Sequence, residues 1–174
     1  MQTGSMAGTT LQSIRSDLVP LFRASALFED LVFIDFGSGK GKALLLASEY
    51  GFRRMVGLEF SPELNLVAQH NIQKYRDRQP TCGPAESLCT DFLDFSLPKE
   101  PSVFFFFDRC EDRILLKVLR NIRLSLAEHP RAAYIVYVAP TATKKATLDA
   151  ADWLVLFVEN TEFRFAIYQF EQAR

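Results

Sequence analysis

The chain lacks most of the features that would send a reading outside the ordinary soluble domains. No apolar run approaches the roughly 18 residues that span a bilayer, and the first residues do not form a secretory signal pattern. Cysteine is scarce: Cys82, Cys89 and Cys110 are odd in number and have no C-x-x-C spacing, which argues against a disulfide framework or a zinc site. These absences set the expectation of a cytoplasmic protein in a reducing setting, with no membrane partner and no metal. There is no basic surplus either. Lys and Arg number 20 against 21 Asp and Glu, for a net charge of −1, so recognition of a nucleic acid would need a local basic patch, and none is evident. The only histidines, His70 and His129, both fall where a helix surface is expected. A phosphate loop ending in GKS or GKT is absent, because Lys42 is followed by Ala43 and no G-x-x-x-x-G run precedes it.

What is present is an apolar fraction of 48% in 174 residues with 24% charged, enough for one domain with a sizeable core. Its most informative stretch is Phe33-Ile34-Asp35-Phe36-Gly37-Ser38-Gly39-Lys40-Gly41. A buried strand ends there in a glycine-rich turn that opens a helix. Glycine lets backbone come close to a ligand, and the first N–H groups of the helix have no partner within it. The dinucleotide fingerprint G-x-G-x-x-G would place its third glycine at Lys42; here the third glycine is Gly41, giving acid-x-G-x-G-x-G.

Along the chain, Leu11, Ile14, Leu18 and Leu21 recur at helical spacing up to a break or kink at Pro20. Leu31 to Phe36 reads as the first strand, Gly41 to Tyr50 as a helix closed by Gly51, and Met55 to Glu59 as the second strand. Ser61 then caps a helix with Pro62 at its first position, running toward Tyr75 and a loop over residues 77–84. Glu86 to Cys89 is a weaker third strand. Ser102 to Phe107 is a fourth, whose unbroken Phe run implies burial on both faces. Glu111 to Leu126 reads as a helix, Ala132 to Ala139 as a fifth strand stopped by Pro140, and Thr141 to Ala151 as a short helix. Trp153 to Val158 and Phe163 to Phe170 form a hairpin around Glu159-Asn160-Thr161-Glu162. Strands alternating with helices and closed by a hairpin predict an α/β fold with a parallel sheet, one antiparallel strand near its edge, and ligands at the carboxyl ends of the strands.

Four strand ends carry candidate chemistry. The first holds Asp35 with Gly37, Ser38, Gly39 and Gly41, which forms either a ligand cradle or a bare tight turn. The second holds Glu59, 22 residues after Gly37, where an acid accepts hydrogen bonds from ribose hydroxyls, or is simply a surface acid. Phe60 beside it is either a wall for adenine or a core aromatic. At the third end, Asp91 can accept from an exocyclic amine and Phe92 can supply a flat apolar wall, or both are loop residues. The fourth end, Asp108-Arg109-Cys110-Glu111-Asp112, is rich in acid. Glu111 and Asp112 suit a helix N-terminus, which leaves Asp108 as the catalytic candidate. Cys110 reads as a small buried cysteine rather than a nucleophile.

With the glycine turn, Glu59 and Asp91 in register, residues 31–170 resemble the class I S-adenosylmethionine-dependent methyltransferases. The resemblance implies a Rossmann-like, doubly wound seven-stranded sheet of order 3-2-1-4-5-7-6 with the last strand antiparallel and helices on both faces. It divides the chain into an N-terminal helical segment, residues 1–30, and an S-adenosylmethionine-binding domain, residues 31–174. Asp35 and the Gly37 to Gly41 turn would meet the methionine moiety, Glu59 the ribose, Phe60 the adenine face, and Asp91 with Phe92 the adenine. Residues 33–59 are also similar to small bacterial methyltransferases of undefined substrate. Asp35 to Gly39 and Asp91-Phe92-Leu93 are similar to the non-SET histone-lysine methyltransferases. Those enzymes carry an Asn-rich loop after the fourth strand where this chain has Asp108-Arg109-Cys110, and this loop also departs from the Asp/Asn-Pro-Pro-Tyr/Phe pattern of nucleic-acid amino-methyltransferases, so the acceptor does not carry over.

The implied reaction is an in-line displacement, which asks the protein mainly to align donor and acceptor and exclude water. The acceptor is undetermined, with protein or small molecule favoured over nucleic acid and an amine such as protein lysine as the specific expectation. About thirty residues precede the first strand, so either a large acceptor or a second subunit, as in a homodimer, completes the pocket. The alternatives are a cofactor-binding module or pseudoenzyme without turnover, and a dinucleotide oxidoreductase.

Overall fold

The computed structural model describes residues 28–79, 83–107 and 111–171. The expected helix around Leu11 to Leu21, Cys82, and the loop residues Asp108, Arg109 and Cys110 lie outside the described residues. A 3₁₀ turn, Phe28–Asp30, leads into β1, Val32–Phe36. Then follow α1 (Lys42–Ala47), β2 (Arg54–Glu59), α2 (Pro62–Arg78), β3 (Ala85–Cys89), β4 (Ser102–Phe107), α3 (Asp112–Glu128), β5 (Ala133–Val138), α4 (Ala142–Asp149), β6 (Leu154–Asn160) and β7 (Phe165–Phe170). They form one seven-stranded sheet of order β3-β2-β1-β4-β5-β7-β6. Pairing is parallel except along β7, which runs antiparallel to both β5 and β6.

The strands at the centre are apolar at nearly every position because both faces are covered. Successive residues of β1 alternate between two cores. Val32, Ile34 and Phe36 pack with Leu115, Val118, Ile122 and Leu126 of α3 and Leu148 of α4. Phe33 packs on the other face with Leu44 and Ala47 of α1 and Ile72 of α2. The five fully covered apolar residues of α3, at about 1.5 to 3 kcal/mol each, do much to hold that layer on the sheet.

Local signals set most boundaries. Ser61 accepts from the Leu64 amide at 3.3 Å ahead of Pro62, and Thr141 accepts from Lys144 in the same way at the start of α4. The helix after the glycine turn is shorter than its sequence suggests: α1 gives way to a 3₁₀ turn over Ser48–Tyr50, closed by Gly51 at φ 75°. α2 runs on to Arg78 and absorbs the start of the expected loop.

Two further expectations need correction. The Phe run of β4 is buried only to Phe106; Phe107, the last residue of the strand, is 46% exposed. The hairpin turn is displaced as well. β6 keeps Glu159 and Asn160 in register with Ala166 and Phe165, after a bulge between Leu156 and Val158. The turn is therefore made by residues 161–164, with Asn160 Oδ1 accepting from the Phe163 amide at 2.9 Å and Arg164 at φ 52°. One added residue in a strand shifts the register of everything after it. No helix among the described residues is long and apolar enough to cross a membrane.

Candidate functional site

The carboxyl ends of β1, β2, β3 and β4 lie side by side, and the sheet order brings three of the four sequence candidates into direct contact. Asp35, the fourth residue of β1, stands in register with Gly57 of β2 and Phe105 of β4. It is 3% exposed. Burial, and then the charge of Glu59, push its carboxyl from an ordinary 3.8 up to about 7.

The glycine turn continues directly from β1. The amides of Gly37 and Ser38 both donate to the Leu58 carbonyl, at 2.9 and 3.0 Å, which pins the turn to β2. Gly37, Gly39 and Gly41 all have positive φ, at 84°, 55° and 80°, the conformation that disfavours any side chain. Their surroundings differ. A Cβ on Gly41 would lie 3.2 Å from Ala68 of α2, whereas a Cβ on Gly39 would meet nothing within 4 Å. The turn is tight against the protein at Gly41 and open at Gly39. The Ser38 side chain is buried, and its hydroxyl has no hydrogen-bond partner among the described residues; it lies against Gly57, so the backbone of Ser38 rather than its hydroxyl faces outward.

Glu59 ends β2 and ties three segments together. Its Oε2 accepts from the Gly39 amide at 2.8 Å and its Oε1 from the Ser61 amide at 2.9 Å, while its own carbonyl accepts from the Thr90 amide at 3.0 Å. It is 9% exposed. Phe60, next in sequence, is 72% exposed and stands out from the rim.

At the third end, Asp91 is half-buried; its Oδ1 accepts from the Leu93 amide at 2.9 Å, and Asp94 donates to its carbonyl. Phe92 sits beneath the turn rather than out in the open. Its ring meets Phe36 edge-on at 5.8 Å and comes within 3.7 Å of where a Gly37 Cβ would be. Below these ends an aromatic layer crosses the sheet: Phe36 stacks on Phe106 at 4.7 Å, and Phe106 on Tyr137 at 5.5 Å. At the fourth end, Phe107 marks the limit of the described strand, and Glu111 and Asp112 are exposed at the start of α3.

Gly57 is the residue that sequence reading missed. A Cβ there would lie 2.6 Å from Leu44 Cδ1 and 2.7 Å from Ser38 Cβ and Oγ, so the turn can close onto β2 only because position 57 has no side chain. A glycine inside a strand pattern signals such an approach. A second missed feature ties α2 to β3: the buried Asn65 accepts from Ser87 Oγ at 2.7 Å, and Gln69 donates to the Ser87 carbonyl at 3.1 Å. This fixes the helix whose first turn carries Ser61.

No family model matches the sequence, and no curated protein matches it either. Solved structures do. A methyltransferase from Escherichia coli, YhhF, superposes with a TM-score of 0.66 at 14% identity, over 99% of this chain and 90% of that one. Magnesium protoporphyrin IX methyltransferase from Synechocystis, with bound S-adenosylmethionine, gives 0.63 at 13% identity, over 98% and 86%. The ribosomal protein L11 methylase of Lactobacillus delbrueckii gives 0.63 at 15% identity, over 94% and 79%. The chain has the fold of the class I S-adenosylmethionine-dependent methyltransferases.

Proposed function

We propose that the protein is an S-adenosylmethionine-dependent methyltransferase that holds its donor across the carboxyl ends of β1, β2 and β3. The observation that carries this reading is the setting of Glu59. A carboxylate has about four lone-pair sites. Two of them serve the amides of Gly39 and Ser61, leaving one on each oxygen for the two ribose hydroxyls. The open space over Gly39 adjoins that carboxylate.

The other residues fit the same ligand. Phe60 offers an exposed flat face for adenine, Asp91 keeps Oδ2 for the exocyclic amine, and Phe92 supports the turn from below as part of the adenine-side wall. Asp35 and the backbone of Gly37, Ser38, Gly39 and Gly41 take the methionine end. Residues 31–174 form this domain, preceded by the segment 1–30. When bound, the donor supplies an electrophilic methyl group on a sulfonium. The chain's own residues fix its orientation and keep water from the reacting line.

The acceptor enters by this reading at the end of β4, where Phe107 presents an exposed aromatic face. An amine such as a protein lysine is the acceptor this reading favours, because Glu111 and Asp112 are exposed at the start of α3 and the sequence adds the acid Asp108 just before them, to which we assign the orienting of the nitrogen once it is deprotonated. Cation–π contact with Phe107 would add to the attraction. The methyltransferases that share the fold carry names that specify a tetrapyrrole, a ribosomal protein and an RNA, so the fold itself sets no acceptor.

The test is transfer of a radiolabelled methyl group into fractionated lysate. Label should enter protein or small-molecule fractions with wild type and fall to background with Glu59→Ala. Turnover-independent labelling, equal in both, would remove the support.

A further inference from the structure

We propose that the outward face of α3 docks an acidic amphipathic helix of a partner protein. The inference goes beyond the methyl-transfer reading and rests on no assignment of donor or acceptor.

At 100° per residue, Arg113, Leu116, Lys117, Arg120, Arg123 and Leu124 fall within an arc of about 120° on α3, opposite the buried Leu115, Val118, Leu119, Ile122 and Leu126. All six are exposed. The two leucines are 55% and 52% exposed, and no acid interrupts α3 between Asp112 and Glu128. A net charge of −1 conceals this face. Arg123 reaches Asp152 at 3.2 Å, whereas Arg113, Lys117 and Arg120 form no ion pair among the described residues. By contrast α2, a helix of the same length, intersperses Glu63 and Asp77 with Lys74, Arg76 and Arg78.

An ordinary solvated face pairs opposite charges three and four positions apart. This one does the reverse. Arg113 and Lys117 stand four apart, Lys117 and Arg120 three, and Arg120 and Arg123 three, so like charges repel along the whole stripe. Arg113 is also the second residue of the helix, where the dipole disfavours a cation. These arrangements cost stability within the chain, and an acidic partner offsets the cost by supplying the missing counter-charges.

The leucines select the kind of anion. A nucleic-acid backbone gains nothing from Leu116 and Leu124, α3 has no aromatic residue on which bases could stack, and the exposed Glu111 and Asp112 beside Arg113 repel phosphate. An anionic membrane needs an apolar stripe to insert, and that of α3 is already spent on the core. An acidic helix uses both features. Leu116 and Leu124 lie about 12 Å apart along the axis, so apolar residues at heptad spacing on a second helix can pack on them while its flanking carboxylates meet the cations.

The experiment is fluorescence anisotropy of the full chain, without methyl donor, against a labelled helical peptide of about 20 residues built from glutamate with leucine at heptad spacing. A version with serine for leucine, a single-stranded RNA of equal length, and vesicles of phosphatidylserine and phosphatidylcholine are the competing probes. Wild type should bind the leucine peptide with Kd below about 100 μM at low salt, and at least about threefold more tightly than the serine version. Lys117→Glu/Arg120→Glu should weaken that binding at least about tenfold. Lys74→Glu/Arg78→Glu on α2 changes the net charge equally and should bind as wild type does; all four side chains are exposed, so both variants should fold. Equal loss in the two variants would reveal attraction to net charge alone and overturn the inference. So would no binding of the leucine peptide at low salt, or tighter binding of the RNA or the vesicles. None of these outcomes involves methyl transfer, so the methyltransferase reading is judged apart from them.

Discussion

Glu59 and Gly39 meet carboxylate to amide at 2.8 Å, joining the end of β2 to a turn residue whose Cβ direction is clear of neighbours. The acid is therefore placed before any ligand arrives. Its second oxygen holds the Ser61 amide at 2.9 Å, so the same side chain also fixes the start of α2.

Replacing that acid should separate binding from folding. If Glu59 holds the ribose as proposed, Glu59→Ala removes the acceptor of two charge-assisted bonds, each worth roughly 1.5 to 3 kcal/mol, and affinity for S-adenosylhomocysteine should fall at least about tenfold. The apolar cores lie below this position, so the variant should stay folded by near-ultraviolet circular dichroism. Unchanged affinity in a folded variant would leave Glu59 only its structural role, the tie between β2, the glycine turn and the start of α2.

Two glycines should fail in different ways. At Gly57 an added Cβ would collide with Ser38 and Leu44 at 2.6 to 2.7 Å, and overpacking of this kind costs about 1 to 3 kcal/mol. Gly57→Ala should lower the melting temperature by roughly 2 to 12 °C. Gly39→Ala meets no neighbour and bears only the strain of a left-handed residue, about 1 kcal/mol. Its methyl group occupies the space assigned to the donor, so it should lose affinity by more than its modest loss of stability would suggest. Thermal scans with and without ligand distinguish the two.

Asp35 should make the free protein less stable as pH rises. Its folded value of about 7 lies above the ordinary 3.8, so the folded state keeps a proton that the unfolded chain releases. The resulting stabilisation is fully present below about pH 4 and is lost as pH rises through 7, a change on the order of 4 kcal/mol. Asp35→Asn cannot titrate. Its unfolding free energy relative to wild type should therefore climb between pH 4.5 and 7.5 in urea titrations; a constant difference would show that Asp35 titrates normally.

Asp108→Asn should leave donor affinity unchanged while slowing methylation of an amine acceptor at least tenfold, because the acid acts on the acceptor nitrogen in the proposed mechanism. Assays with amine-bearing, carboxylate-bearing and RNA acceptors make the comparison. An Asp108→Asn enzyme as fast as wild type on an amine, or methylation of RNA alone, would contradict the acceptor assignment.

The sequence carried the fold because each parallel strand is a short apolar run bounded by turn residues, and because glycine marks the one turn that must approach another strand. Ser61 and Gly51 announced their caps through side-chain or backbone chemistry local to them, while Thr141, read as the first residue of its helix, is the residue that caps it. The hairpin was harder to read. A bulge near Phe157 obeys no short-range pattern, so the strand ran two residues past its expected end at Val158. Phe107 looks like its neighbours in the Phe run, and only its place at the end of the strand sets it apart. At the site, the acids and glycines were visible one by one. That Ser38 would sit on Gly57, that Phe92 would slip beneath the turn against Phe36, and that Asp35 would be buried where the charge of Glu59 raises its pKa are consequences of strand register, which no single segment encodes.

This glycine turn and acid should form an S-adenosylmethionine site rather than a dinucleotide site, a choice that competitive calorimetry decides. Lys42 stands where the dinucleotide turn needs a glycine, while Gly41 keeps the alternative spacing. Titration at pH 7.5 should give one site per chain with micromolar affinity for S-adenosylhomocysteine and no heat with NAD. Micromolar binding of NAD together with no response to S-adenosylhomocysteine would contradict the account.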